Sequence, residues 1–131
     1  MRRIEIRDFL LIAELHCGIK AERLARIPRV MMLGQAALAA PFAGFDKYEA
    51  FPTLHEKAAV YCARIVTYHP LPDGNMRTAY DVMREFLERN GAVFEHPPGG
   101  LDATAEIIEN VATNVLDERG LAAWLRERIS S

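Results

Sequence analysis

The stretch that decides the fold of this 131-residue chain runs from Thr53 to Gly91 and reads TLHEKAAVYCARIVTYHPLPDGNMRTAYDVMREFLERNG. Its first half repeats apolar residues at three- and four-residue spacing, which is typical of a helix with one buried face. Thr53 and Glu56 form a capping-box pattern, so we expect this helix to begin directly after Thr53. His69-Pro70 ends it, because the residue before a proline is pushed out of the right-handed α region.

The second half of the stretch predicts another helix, from Asn75 to Asn90, with Gly91 as its stop signal. Its apolar stripe again follows helical spacing, through Ala79, Val82, Met83, Phe86 and Leu87. A proline-stiffened turn, Pro-Leu-Pro-Asp-Gly at 70–74, joins the two helices. A histidine, a carboxylate and a glycine therefore come just before a helix N-terminus.

Outside this stretch the spacing predicts a helix at Arg7–Cys17, which Gly18 ends, and another at Arg29–Ala40, which follows Pro28. Two more helices are predicted to begin after the N-caps Asp102 and Asp117. Residues 41–52 hold two prolines and three phenylalanines, which predicts a loop with apolar anchors. Residues 92–95 are long enough for one short extended segment. We therefore predict an all-α, compact bundle of about six helices in one domain, residues 1–131.

Composition excludes several classes of protein. The 16 Lys and Arg residues against 18 Asp and Glu give a net charge of −2, which argues against a nucleic-acid binder with a basic face. No apolar run approaches the ~20 residues that span a bilayer, and charged residues interrupt any N-terminal leader, so we expect no membrane contact and a cytoplasmic location. Cys17 and Cys62 lack metal-ligand spacing and are predicted to be buried free thiols.

The turn before the second central helix has the residue types of a phosphate site. A helix N-terminus attracts anions through its unpaired N–H groups and its positive dipole end. Gly74 would let the backbone approach a phosphate closely, and Arg77 adds a fixed positive charge. Asp73 can supply a carboxylate to Mg²⁺, which otherwise binds substrate phosphates and water. His69 then stands where it can remove a proton from an attacking hydroxyl.

Other motifs are absent or carry less weight. The chain has neither a G-x₄-GK[ST] nor a GxGxxG pattern, which excludes the P-loop and Rossmann modes of nucleotide binding. His16, His55 and His96 are scattered without metal-ligand spacing, so no zinc site is predicted. The tripeptide Asp73-Gly74-Asn75 is also common in turns that have no functional role. The order of the residues from His69 to Arg77 is what favours a functional site.

The run His69-Pro-Leu-Pro-Asp-Gly-Asn-Met-Arg77 resembles the motif of the Fic/Doc family, His-Pro-Phe-x-Asp-Gly-Asn-(Lys or Gly)-Arg. The flanking runs Phe51–Ala59 and Phe86–Gly91 are similar to those of the compact Doc (death-on-curing) branch. This resemblance implies an all-helical fold that uses ATP and Mg²⁺ to modify a hydroxyl of a protein. Fic enzymes transfer AMP, whereas Doc-type toxins transfer a phosphoryl group to a translation elongation factor and pair with a small antitoxin protein.

The resemblance also implies roles for individual residues. His69 would be the general base, and Asp73 would be the Mg²⁺ ligand. The backbone of Gly74 and Asn75 would cradle phosphate, and Arg77 would pair with a phosphate. The loop from Gly44 to Phe51 matches the position of a flap that positions the target protein. Met76 completes the predicted nucleotide-binding group.

Three positions depart from the family motif. Leu71 replaces its phenylalanine, Met76 stands where Gly or Lys is usual, and Tyr80 replaces the second arginine of AMP-transferring members. Methionine is nearly as long as lysine, so it should fill the space beside the helix N-terminus without pairing with phosphate. Both Met76 and Tyr80 favour phosphoryl transfer. Two alternatives remain: an AMP-transferring Fic-type enzyme, and a catalytically weak Doc-like protein that binds an antitoxin or regulator.

Overall fold

The computed structural model describes residues 1–130, and within this range the chain forms seven α-helices: α1 Ile6–Cys17, α2 Ala21–Leu24, α3 Pro28–Ala39, α4 Leu54–Tyr68, α5 Asn75–Arg89, α6 Gly100–Ala112 and α7 Glu118–Arg126. A 3₁₀ turn, Ala40–Phe42, follows α3. Two short antiparallel pairs join β1 Gly44–Phe45 to β2 Tyr48–Glu49, and β3 Val93–Phe94 to β4 Ile129–Ser130. The predicted all-α bundle is confirmed.

Helix α4 is the centre of the bundle, since α3, α5, α6 and α7 all pack against it. Its residues from Lys57 to Ala63 are all buried, so no face of its middle turns reaches solvent. Tyr61 meets Phe86 of α5 edge to face, with ring centroids 4.9 Å apart. Aromatic packing of this kind stabilises a core beyond the area it buries, and it fixes α4 against α5.

The predicted helix boundaries agree with the structure to within a residue or two, with two exceptions. The four-residue α2 was not predicted, because it is too short to show helical spacing. Asp102 is not the cap of α6: the helix begins at Gly100 after Gly99, whose φ of +99° suits glycine. Asp102 lies instead in the first turn, where its charge complements the helix dipole.

Residues 41–52, predicted as a loop, contain the hairpin β1–β2. Lys57 of α4 holds this hairpin: its Nζ donates to Glu49 Oε1 at 3.0 Å and to the carbonyl oxygen of Phe51. The lysine is only 1% exposed, and a charge so deeply buried is normally found paired. The hairpin is therefore tied to the core although its own residues Phe45 and Tyr48 are exposed.

The N-terminal segment is tied to the far end of α5. Arg89 Nη1 donates to the Asp8 carboxylate and to the carbonyl oxygen of Arg3, each at 3.1 Å. The hydrogen bond from Arg89 lowers the pKa of Asp8. Since the folded pKa lies below the unfolded one, this contribution to stability is present at neutral pH and is lost as the pH falls through the folded pKa.

Both cysteines are free thiols, as predicted. Cys62 is fully buried, and burial raises the pKa of its thiol to about 12. Cys17 is only partly buried, so the prediction that both thiols are buried is wrong at this position. Within residues 1–130, every helix is too short or too polar to cross a lipid bilayer.

Replacing Thr53 with alanine should destabilise the fold by about 1 kcal/mol, the usual effect of losing an N-cap. Thr53 Oγ1 accepts a hydrogen bond from the Glu56 N–H at 3.2 Å, which satisfies one of the free donors of α4. Urea unfolding measures the effect, with Thr67→Ala as the control. Thr67 is exposed on the same helix and only bonds back to the Ala63 carbonyl. Equal destabilisation by the two substitutions would contradict the capping role.

Candidate active site

The site begins where α4 ends, at His69. Its N–H donates to the Ile65 carbonyl at 3.1 Å, but its backbone is left-handed, with φ 54° and ψ 57°. This conformation is rare outside glycine and strained for histidine. The following Pro70 disfavours the right-handed alternative, so the chain turns sharply and leaves the His69 side chain exposed at the helix end.

Arg29 of α3 supports this end of α4. Its Nη2 donates to the carbonyl oxygens of Tyr68 at 3.4 Å and His69 at 3.3 Å. These carbonyls belong to the last turn, which has no intrahelical donors left for them. The positive charge also suits the negative end of the helix dipole.

Asn75 closes the turn between α4 and α5. Its Oδ1 accepts from the Leu71 N–H at 3.0 Å, and its Nδ2 donates to the Leu71 carbonyl at 2.9 Å. Leu71 is 2% exposed and anchors the turn in the core, which accounts for an apolar residue at this motif position. The Asn75 side chain is thus committed to the protein, and only its backbone N–H is left for a ligand.

Position 74 requires a glycine because α1 lies directly against it. Its φ is +76°, and a Cβ placed there would lie 2.9 Å from the His16 carbonyl oxygen and 3.0 Å from the His16 Cβ. On the side where a Cβ would point, the missing side chain makes room for the last turn of α1. The close approach of the Gly74 backbone to a phosphate stays a prediction.

The N-terminus of α5 opens onto solvent. Gly74 cannot cap it with a side chain, and the first hydrogen bond of the helix runs from the Thr78 N–H to the Gly74 carbonyl at 3.0 Å. The N–H groups of residues 75–77 therefore have no acceptor within the helix. Arg77, in the first turn, is exposed and forms no ion pair within residues 1–130.

All the residues that the motif singled out line one cavity of about 550 Å³: His69, Asp73, Gly74, Asn75, Met76 and Arg77. His16, Val66, Pro72 and Ala112 complete its walls. The volume lies within the usual range for small-molecule sites. The sequence-predicted group is thus brought together around one space at the helix N-terminus.

A second cavity of about 410 Å³ adjoins the first. The two share the side chains of His16, Met76 and Arg77. The rest of the second cavity is lined by α5 and α6, with Leu101, Ala105 and Ile108 as apolar walls and Tyr80, Asp81 and Asp102 as polar ones. Sequence reasoning gave no sign of this second space, because α6 approaches α5 only through tertiary packing.

His16 and Asp81 form a pair that sequence reasoning also missed. His16 Nε2 lies 2.5 Å from Asp81 Oδ2, and the residues are 65 positions apart in the chain. No local spacing links them, since α1 and α5 meet only in the folded bundle. The sequence shows His16 only as one of three scattered histidines, whereas in the structure it lines both cavities.

Tyr80, which replaces the second arginine, is held by its neighbours. Its hydroxyl lies 3.0 Å from His96 Nε2 and accepts from Arg84 Nη1 at 3.2 Å. His96 Nδ1 contacts the Thr104 hydroxyl at 2.9 Å on its other side. The network joins α5 to α6, so Tyr80 helps to form the wall of the second cavity.

A divalent cation would have little protein support here. Asp73 is exposed at the first cavity, and residues 1–130 contain no group of three or more His, Cys, Asp or Glu side chains suited to a metal. Mg²⁺ fits such a site only when phosphate and water oxygens supply the other ligands. Asp73 is therefore compatible with a cation that arrives with a phosphorylated substrate.

The helical bundle places a histidine beside a helix N-terminus with free N–H groups, an arrangement suited to anions. The model of the Fic/DOC family matches residues 10–87, which include the entire motif. Toxin Doc of Mycolicibacterium smegmatis is 34% identical over 90 residues, covering 69% of this chain and 68% of that protein. The chain belongs to the Fic/Doc family, and its predicted resemblance to the Doc branch is confirmed. Members of this family are ATP-using transferases.

Gly74→Ala should destabilise the protein more than Gly91→Ala, and urea unfolding measures the difference. Both glycines have φ near +80°, so alanine is strained at either position by about 1 kcal/mol. Only at Gly74 does the new Cβ also meet the His16 backbone, whereas nothing lies within 4 Å at Gly91. We expect an additional loss of about 1–2 kcal/mol at Gly74. Similar values for both variants would show that the contact with α1 is unimportant.

Proposed function

We propose that this protein is a Doc-type toxin that transfers the γ-phosphoryl group of ATP to a hydroxyl of a protein target. By family resemblance the target is a translation elongation factor. One observation carries the proposal: His69, Asp73, Arg77 and the free N–H groups of α5 surround a single cavity. Phosphoryl transfer depends mainly on positioning and charge stabilisation, which is what this set of groups provides.

His69 is the proposed general base. Its imidazole makes no hydrogen bond within residues 1–130 that would occupy either nitrogen, while its backbone is fixed by Ile65 and Arg29. A base must lie within hydrogen-bond reach of the proton that it removes. His69 accepts the proton of the target hydroxyl as the oxygen bonds to the γ-phosphorus, the bond to the bridging oxygen breaks, and ADP leaves.

The phosphates are proposed to bind at the start of α5. The N–H groups of residues 75–77 donate to phosphate oxygens, and the helix dipole adds to their attraction. Arg77 can turn to these oxygens because no carboxylate of residues 1–130 holds it. Asp73 is the proposed protein ligand of Mg²⁺, which would neutralise part of the phosphate charge.

Met76 supports phosphoryl transfer over AMP transfer. It is half-buried, packs against the core and lines both cavities. A side chain in this place reduces the room beside the helix N-terminus, as a lysine would, but it cannot pair with phosphate. We therefore expect a phosphoryl transfer that is slower than with lysine at this position.

The second cavity suits the nucleoside half of ATP. Leu101, Ala105 and Ile108 offer apolar surface, and ligand sites are typically apolar with few placed polar groups. Since the cavity adjoins the first at Met76 and Arg77, one nucleotide can extend through both.

A small antitoxin protein is the proposed regulatory partner. The name of the relative, Toxin Doc, supports a place in a toxin–antitoxin pair. A target in translation would put the protein in the cytoplasm. We expect no direct contact with nucleic acid or membrane.

His69→Ala should abolish growth inhibition in an expressing cell and lower phosphoryl transfer at least about 100-fold, the usual effect of losing a general base. Circular dichroism should show an intact fold, because the exposed imidazole contributes nothing to packing. His55→Ala, at the opposite end of α4, is the matched control and should stay toxic. A His69→Ala protein as toxic as the parent would refute the assignment of the base.

Removing Mg²⁺ with EDTA should weaken ATP binding strongly, since the phosphates would otherwise face the Asp73 carboxylate. Asp73→Asn should show a similar loss when Mg²⁺ is present. Isothermal titration calorimetry measures both effects. Equal affinity with and without the cation would contradict the role of Asp73.

ATP labelled at either the α- or the γ-phosphate distinguishes the possible reactions when it is incubated with the protein, Mg²⁺ and a translation extract. We expect label to enter protein from the γ-position, and Met76→Lys to increase the rate because lysine adds a phosphate-pairing charge. Label from the α-position alone would identify AMP transfer. No label from either position, with an intact fold, would favour a binding protein of an antitoxin or regulator.

A further inference from the structure

The His16–Asp81 pair stands where the two cavities meet. His16 lines both cavities, and Asp81 lines the second. Their side chains are 20% and 37% exposed, so solvent reaches both of them. Neither residue belongs to the motif that surrounds His69.

Asp81 has one carboxylate oxygen to offer a ligand. Oδ2 is held by His16 Nε2 at 2.5 Å, whereas Oδ1 accepts no hydrogen bond from residues 1–130. A carboxylate repels phosphate and accepts hydrogen bonds, so we expect a donor group of the ligand, such as a hydroxyl, beside Asp81.

The position of Asp81 on α5 indicates which donor this is. Asp81 follows Arg77 by four residues, which places the two side chains next to each other on one face of the helix. In a nucleotide whose phosphates contact Arg77, the neighbouring group is the ribose with its two hydroxyls. The base then extends toward Leu101, Ala105 and Ile108, whose side chains have no polar atoms.

We propose that Asp81 binds the ribose hydroxyls of the nucleotide, so that the site selects ribonucleotides over deoxyribonucleotides. His16 is a positioning residue: it fixes Oδ2 and leaves Oδ1 for the ligand. This inference rests on the proposed function, since it assumes a nucleotide with its phosphates at the start of α5.

Calorimetric titration of the full-length protein with Mg²⁺ and ATP, 2′-deoxyATP, 3′-deoxyATP or ITP tests the proposal. The parent should bind ATP about tenfold more tightly than at least one deoxy analogue, because a hydroxyl bonded to a carboxylate is lost. Asp81→Ala should bind ATP and the deoxy analogues equally. His16→Ala should keep part of the discrimination, since Oδ1 remains but is no longer fixed.

Glu106→Gln is the matched control, because it removes an exposed carboxylate from α6 that does not line the cavity. It should keep the parental ratio of ATP to deoxyATP affinity. Asp81→Asn covers the possibility that the alanine variant does not fold: its amide oxygen is a weaker acceptor, so the ratio should fall severalfold.

Several results would overturn the ribose assignment. Equal binding of ATP and both deoxy analogues by the parent would do so, as would loss of discrimination in Glu106→Gln. The same holds for an Asp81 variant that changes the ratio of ATP affinity to ITP affinity while it leaves the ratio of ATP affinity to deoxyATP affinity unchanged. That result would place the amino group of the base, rather than the ribose, at Asp81. A folded parent that binds none of these nucleotides would refute the proposed function itself, and this inference with it.

Discussion

Two hydrogen bonds between Asn75 and the backbone of Leu71 hold the turn on which the site depends. They fix the path of the chain between α4, the centre of the core, and α5, which presents its N-terminus to the cavity. Because the turn is short, small changes in it would move His69 relative to Arg77. The close contact between Gly74 and His16 adds a second restraint, from α1. The site is thus built on two packed helices and a rigid connection rather than on a mobile loop.

Much of this arrangement could be predicted from the sequence because it is encoded locally. The Thr53 cap, the proline after His69 and the stripe of α5 each act over a few residues, and the structure confirms the elements they define. The six motif residues lie within nine positions of one another, so their meeting at one cavity follows from the turn alone. Their chemical roles are a separate matter that folding does not determine.

The features that could not be predicted depend on long-range packing. His16 and Asp81 are 65 residues apart, and no local pattern records that α1 meets α5 at that point. Lys57 is buried with partners, Glu49 and the Phe51 carbonyl oxygen, that come from the preceding residues 49–51, and no spacing pattern marks this pairing. The cap of α6 depends on a left-handed glycine, while the nearby Asp102 offers the more usual capping side chain.

Charge around the two cavities constrains how an anionic ligand can bind. Asp73 lines the first cavity and Asp81 and Asp102 line the second, while Arg77 is the arginine that faces both. A triphosphate would meet more carboxylates than cationic side chains if it reached this region without a counter-ion. The dipole and free N–H groups of α5 offset part of that repulsion only near the helix N-terminus, because the effect falls off within one turn. Under the proposed function we therefore expect the phosphates at the start of α5 and the uncharged part of the nucleotide near Asp81 and Asp102.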